Sequence, residues 1–138
     1  MDITDVVFLS MTDYFAADAR RIQHFTRVHA FARLMGHMEG LDEHTQRVLE
    51  IAALVHDIGT LGLPEEDIRR VCFLVGHHHT YDCMDGADYQ MLVEADFLVN
   101  LYDAAAGPDA VRAACGRIFR TKSGRALCRR MFGLTAQD

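Results

Sequence analysis

The stretch RIQHFTRVHAFARLMG, residues 21–36, places apolar side chains three or four positions apart along its whole length. Because an α-helix has about 3.6 residues per turn, this spacing gathers them on one face of a helix. His24 lies on that face, one turn before Val28. The stretch therefore predicts an amphipathic α-helix, and its apolar stripe consists of Phe25, Val28, Ala32 and Met35.

Helical spacing recurs before and after this stretch. Asp18 and Asp42 precede periodic segments and are plausible N-caps, because a carboxylate can accept hydrogen bonds from free amides of a first turn. Gly36 and Gly40 are expected to end the helix that contains residues 21–36, and Asp109 is expected to cap a later one. No stretch alternates as a strand does. The sequence predicts an all-α fold, a single-domain helical bundle of about six to seven helices over all 138 residues.

Composition places this domain in a reducing compartment. None of the cysteines forms a C-x-x-C pair, so we expect reduced, buried thiols and a cytoplasmic protein. The acidic start and the lack of a long apolar run argue against secretion and membrane insertion. A homodimer is possible, but no heptad seam supports one. The four cysteines are Cys72, Cys83, Cys115 and Cys128.

The charge is distributed unevenly along the chain. The formal net charge is -6, yet residues 111–138 carry seven Lys or Arg residues against the single acid Asp138. This basic region could attract a phosphate or an acidic partner, or it could be a solvated helix face. Few aromatic residues accompany it and the whole chain is acidic, so no nucleic-acid partner is expected.

Ionisable residues lie on apolar helix stripes in three separate segments. The first is His24, the second is the pair His56 and Asp57 in IAALVHDIG (residues 51–59), and the third is Asp96 in MLVEADFLVN (residues 91–100). Burying such groups costs several kcal/mol unless something compensates them, and one shared divalent cation can serve all four. Two imidazoles and two carboxylates suit Mn, Fe, Ni, Zn or Mg. A single histidine on an apolar stripe is more often a hydrogen-bonded core residue than a ligand, and Asp96 alone could be a buried cap or the partner of an arginine. The joint pattern is what favours a metal site.

Such a site has catalytic potential, because open positions on the metal remain for water and substrate. The metal would lower the pKa of a bound water and orient a phosphoryl oxygen, so that hydroxide attacks without a protein nucleophile. Asp57 is best placed to orient or deprotonate this water, which makes it the expected catalytic residue.

The three segments resemble the HD superfamily of metal-dependent phosphohydrolases. The matching motifs are H-x-x-x-V at His24, A-A-L-x-H-D-I-G around His56 and Asp57, and A-D at Asp96, in that order. The resemblance implies an all-helical, HD-domain-like fold and metal ligation by these four residues. It also implies hydrolysis of phosphate mono- or diesters, so the expected substrate is a small phosphorylated metabolite or nucleotide.

The chain departs from this pattern at the helper residues. Many members have lysine after H-D-I-G, where this chain has Thr60, and no glutamate precedes Glu65 as a proton donor. Arg20 and Arg21, one turn before His24, are the nearest substitutes for binding a substrate phosphate. The basic C-terminal region is another source, and both arginines could instead simply occupy a helix N-terminus.

The run His77, His78 and His79 leaves the number of metals open. On the helix predicted to begin at Pro64, His78 or His79 continues the apolar line and could reach a substrate at the site, whereas three successive residues point in different directions. We favour a mononuclear site over an incomplete binuclear one. Two other functions remain open: a di-iron oxygenase, and a non-catalytic metal-binding signalling module.

Overall fold

The computed structural model describes residues 1–56 and 86–135, and every regular element in these ranges is helical. The all-α prediction is therefore confirmed for the part of the chain that is described. The helix predicted to begin at Pro64 lies outside it. None of the described helices combines the length and apolar character that a bilayer crossing requires. The helices are α1 (Ile3–Tyr14), α2 (Ala19–Glu39), α3 (Glu43–Val55), α4 (Gly86–Asp103), α5 (Pro108–Arg117) and α6 (Lys122–Phe132).

Aspartate side chains cap the helices that lead into the site. Asp18 accepts a hydrogen bond from the Arg21 amide at 3.2 Å, and Asp42 accepts one from the Thr45 amide at 2.9 Å. Both predicted N-caps are confirmed. Together the two caps fix where α2 and α3 begin.

Gly36 does not end α2 as expected. The helix continues to Gly40, whose φ of 71° lies in the left-handed region and stops it. Gly36 is buried instead, and a Cβ atom added to it would lie 2.1 Å from Oε1 of Gln46. The absence of a side chain at Gly36 therefore allows the Gln46 side chain of α3 to approach α2 closely. The local sequence gives no sign of this contact, because the two residues belong to different helices.

The expected cap at Asp109 is also wrong. Gly107 is the N-cap of α5 and Pro108 occupies the first turn, where its missing amide costs nothing. Asp109 lies inside that first turn and pairs with Arg112 at 3.1 Å.

The described helices share one hydrophobic core. α4 is buried on nearly all sides from Asp88 to Val99, and α2 and α3 pack against it. Side chains on the inner faces of these three helices therefore lie close to one another. The largest fully buried side chains include Phe25, Met35, Leu49, Ile51, Leu54, Tyr89, Leu92, Leu98 and Phe119.

Two of the predicted buried thiols are described. Cys115 on α5 and Cys128 on α6 are both buried and unbridged. Burial, reinforced by the neighbouring Cys115, raises the pKa of the Cys128 thiol to about 12. Both cysteines therefore behave as core residues, as expected, while Cys72 and Cys83 lie outside the described residues.

A polar network ties α2 to α3. The His29 ring lies 3.1 Å from Glu50 Oε1, and Gln46 Nε2 donates to Glu50 Oε2 at 3.0 Å. Burial alone would raise the pKa of Glu50, but the hydrogen bonds from His29 and Gln46 and the nearby Arg33 charge lower it overall. The carboxylate is thus held ionised between the two helices.

A buried carboxylate, that of Glu94, ties α4 to the start of α6. Glu94 accepts hydrogen bonds from the Thr121 hydroxyl at 2.7 Å, from the Thr121 amide at 3.2 Å and from the Arg120 amide at 3.3 Å. Burial raises the pKa of Glu94, and these donors partly oppose that effect. Because the carboxylate is held from several directions, it has little freedom to move.

Gly124 faces this fixed carboxylate, and its replacement tests how tightly α4 and α6 approach. A Cβ atom at Gly124 would lie 1.9 Å from Glu94 Oε1, whereas one at Gly116 in α5 meets nothing within 4 Å. We expect Gly124→Ala to lower the free energy of unfolding by about 1–3 kcal/mol through overpacking. Gly116→Ala should raise it by up to about 1 kcal/mol through helix propensity. Urea unfolding measures the change in free energy of unfolding for each variant. If both substitutions changed it in the same direction, the close approach of Gly124 to Glu94 would be contradicted.

Glu50 should make the stability depend on pH in acid. A carboxyl group whose pKa is lower in the folded state stabilises the fold above its unfolded value, near 4.5, and this contribution is lost as pH falls through the folded pKa. The wild type should therefore exceed Glu50→Gln in free energy of unfolding at pH 7, and the difference should shrink towards pH 3. Urea unfolding across this range checks it. A difference that does not change with pH would show that Glu50 gains nothing from its partners.

Candidate metal centre

Three helices each contribute one side chain to a single cluster. His24 projects from the second turn of α2, His56 is the C-cap residue of α3, and Asp96 lies in the middle of α4. The apolar periodicity of each helix turns these positions towards the core. Side chains from three distant stretches thus reach the same place, as the sequence predicted for them.

The cluster has dimensions suited to a metal ion. Asp96 Oδ1 lies 3.3 Å from His24 Nε2 and 3.5 Å from His56 Nε2, and the three potential ligand atoms all lie within 4.8 Å of one another. Nitrogen and oxygen ligands about 2.0–2.2 Å from a metal lie roughly 3.0–3.5 Å apart. Two of the spacings already fall in or at the edge of that range, so the group could hold a metal ion with small side-chain adjustments.

The arrangement of protons around His56 supports a cation between these atoms. His56 Nδ1 lies 3.0 Å from the Ala53 carbonyl, which can only accept, so Nδ1 must carry the hydrogen. In the neutral ring Nε2 then presents a lone pair towards Asp96. Metal-binding histidines commonly orient their second nitrogen in this way, through a backbone carbonyl.

Oδ1 of Asp96, which faces His56 Nε2, lacks a hydrogen-bond partner among the described residues. This oxygen is buried, and no described donor reaches it with hydrogen-bond geometry. A buried acceptor that faces another acceptor is unfavourable unless a cation, either a proton or a metal ion, lies between them. The donor set and the orphaned oxygen both fit a divalent ion.

Exposure and charge differ among the three residues. The side chains of His56 and Asp96 are only 1% and 9% exposed, whereas that of His24 is 20% exposed. Burial opposes ionisation of Asp96, but hydrogen bonds and charge from protonated His24 and His56 rings would outweigh it and lower the pKa of this carboxyl group. A metal ion among the three groups would take the place of those protons, and His24 marks the side from which solvent reaches the cluster.

Two aromatic rings, those of Phe15 and Phe25, form a wall along one side of the cluster. Phe25 packs edge-on against His56 at 4.9 Å and against His24 at 5.3 Å, measured between ring centroids, and Phe15 stacks on Phe25 at 5.2 Å. These contacts restrict rotation of both imidazoles. They also keep water away from one side of the cluster.

A cleft of about 510 Å³ opens beside His24, and Arg20, Arg21, Phe25 and Asp103 complete its lining. Arg21 lies over the Phe15 ring at 5.4 Å and within 3.7 Å of Asp18. Hydrogen bonding from Arg27 lowers the pKa of Asp103, and the charge of Arg20 adds to this effect. The structure thus places both arginines that the sequence offered for phosphate binding at the same opening as His24.

Other predicted site residues fall outside the described ranges. Asp57, expected as the fourth ligand and catalytic residue, follows His56 directly, and His78 and His79 lie in the same interval of residues 57–85. Their places in the site remain predictions. Within residues 1–56 and 86–135, His24, His56 and Asp96 form the only group of three or more His, Cys, Asp or Glu residues whose ligand atoms lie close enough together to hold one metal ion.

Sequence reasoning missed two residues near the centre. Asp103 lines the cleft, and Arg27 pairs with it through both carboxylate oxygens. A signal for them existed, since Arg27 follows His24 by one helical turn and Asp103 follows Asp96 by two. Nothing in the local pattern, however, showed that the two would meet.

Known proteins provide no assignment for this centre. No family model, no curated protein and no solved structure matches the chain. The chemistry attributed to the centre therefore comes from its donor atoms, their burial and the cleft beside them.

Cobalt binding tests the cluster directly. We expect the wild type to bind Co²⁺ with d–d absorption in the visible range, and Asp96→Asn or His56→Gln to weaken binding by roughly a hundredfold because a ligand is lost. His29→Gln is the matched control, since His29 also lies on α2 beside a carboxylate but outside the cluster. Titration followed by absorption measures the affinity. Equal loss in the control would contradict the assignment of ligands.

Proposed function

We propose that this protein is a metal-dependent phosphohydrolase of the HD type, acting on a small phosphorylated metabolite or nucleotide. The observation that carries the proposal is the convergence of His24, His56 and Asp96 beside a cleft lined by two arginines. The order of the three sequence motifs is independent support for it. The metal, the substrate phosphate and the attacking water would come together at the opening of this cleft, next to His24.

The chain supplies a mixed set of ligands. His24, His56 and Asp96 would hold the ion, with Asp57 as the fourth ligand, and this set is compatible with Mn, Fe, Ni, Zn or Mg. When bound, a divalent ion supplies Lewis-acid chemistry: it lowers the pKa of a water molecule and polarises a phosphoryl oxygen.

The arginines at the cleft would bind the substrate phosphate. Arg20 and Arg21 lie in the first turn of α2, where the helix dipole adds to their positive charge. A guanidinium can bind two phosphate oxygens at once, so these residues would orient the scissile phosphate towards His24 and its neighbours.

The remaining residues would prepare the reaction. Phe15 and Phe25 exclude water from one side of the cluster, which strengthens electrostatic interactions there. Asp57 would orient the attacking water and accept its proton. The proposal assigns no lysine or glutamate helper, because Thr60 replaces the first and no glutamate lies before Glu65.

Replacement of Asp57 tests the proposal. Asp57→Ala should lower bound metal and phosphatase activity together, because one residue serves as ligand and as general base. Metal analysis and phosphate release from a panel of phosphorylated metabolites and nucleotides measure the two effects. Asp109→Ala, which removes a fully exposed aspartate, is the control and should change neither.

Three results would contradict the proposal. Full activity of Asp57→Ala without metal would exclude a metal-dependent reaction. Bound iron with oxygen consumption and no phosphate release would identify an oxygenase. Bound metal without turnover of any phosphorylated compound would favour a binding module.

A further inference from the structure

One ion pair connects α2 and α4, the two helices that carry His24 and Asp96. Arg27 on α2 donates to Asp103 at the end of α4 through two parallel bonds, Nη1 to Oδ1 at 2.8 Å and Nη2 to Oδ2 at 2.9 Å. Bidentate pairs of this kind fix distance and orientation together, which a single contact does not. The proposed function gives this pair no role.

The pair lies close to two ligands along the same helices. Arg27 is three residues after His24, about 4.5 Å along α2, and Asp103 is seven residues after Asp96, about 10.5 Å along α4. His24 and Asp96 themselves approach to 3.3 Å. The two helices are thus joined at two levels, once through the ligands and once through the ion pair.

His24 is the ligand that most needs such support. It is the most exposed of the three, whereas His56 is fixed by its bond to Ala53 and by the core around it. Phe25 restrains the His24 ring, but the spacing of α2 from α4 decides how near Nε2 comes to Asp96. The bridge from Arg27, which follows His24 by one turn in the sequence, acts on that spacing.

We infer that Arg27 and Asp103 are a positioning pair for the metal centre: their bidentate bridge holds α2 against α4 so that His24 and Asp96 share one ion. The inference rests on the metal site of the proposed function. Residues outside the ligand set that orient metal ligands commonly change metal affinity by ten- to a hundredfold. We expect an effect at the lower end, because the hydrophobic core also holds the helices together.

A pure charge effect predicts a different outcome, which makes the inference testable. Removal of the Asp103 charge should weaken cation binding, and removal of the Arg27 charge should strengthen it, if the two act only through Coulomb forces. If the pair positions the metal ligands, removal of either charge should weaken cation binding. The sign of the Arg27 effect therefore separates the two explanations.

The experiment is Co²⁺ titration of the full chain, with the d–d spectrum as a second readout of ligand geometry. Asp103→Asn and Arg27→Met should each raise the dissociation constant about tenfold and alter the spectrum. Arg27→Lys keeps the charge but loses the planar fork, so it should also weaken binding, and it covers the case in which Arg27→Met does not fold. Asp109→Asn breaks an exposed pair within α5 and is the control, with no change expected.

Two outcomes overturn the inference alone while the wild type still binds Co²⁺. One is unchanged affinity and spectrum in the Asp103 and Arg27 variants. The other is weaker binding in Asp103→Asn with equal or tighter binding in Arg27→Met and Arg27→Lys. Failure of the wild type to bind Co²⁺ would instead remove the metal centre, and both proposals with it.

Discussion

The constraint on which this site depends is electrostatic: Nε2 of His24 and Nε2 of His56 face Oδ1 of Asp96 in a largely buried space. A ring nitrogen without a hydrogen cannot satisfy a carboxylate oxygen, so the group needs a proton or a metal ion between its atoms. A cation removes the conflict. The helices must therefore hold the three groups close enough to share it, and the aromatic wall of Phe15 and Phe25 makes that space more apolar.

Polar bridges between helices recur throughout the described structure. His29 and Glu50 join α2 to α3, Arg27 and Asp103 join α2 to α4, and Glu94 joins α4 to the turn before α6. Apolar packing brings helices together and limits their angle and shift. Hydrogen bonds between defined atoms add a further, directional restraint on the shift of one helix along its neighbour. The network thus complements the core, and each bridge limits one relative movement of the helices.

Sequence-based prediction was correct at two helix starts and wrong at two other positions, for different reasons. The N-caps at Asp18 and Asp42 were predicted correctly, because a cap involves atoms only three residues apart. Gly36 was expected to end α2 and instead receives the side chain of Gln46 from α3. The start of α5 was placed at Asp109, whereas Gly107 and Pro108 provide it. The first error came from a tertiary contact, and the second from a choice between adjacent turn residues.

Helical periodicity alone determined that His24, His56 and Asp96 lie on apolar faces, since this depends only on residue spacing within each helix. Their meeting in one cluster was expected from the chemistry of buried charge. The distances of 3.3 and 3.5 Å, the bridge between Arg27 and Asp103 across 76 positions, and the enclosure of Glu94 were decided by tertiary structure. The physical reason is that local pattern sets which face of a helix is buried, whereas side-chain packing between helices sets their angle, shift and separation.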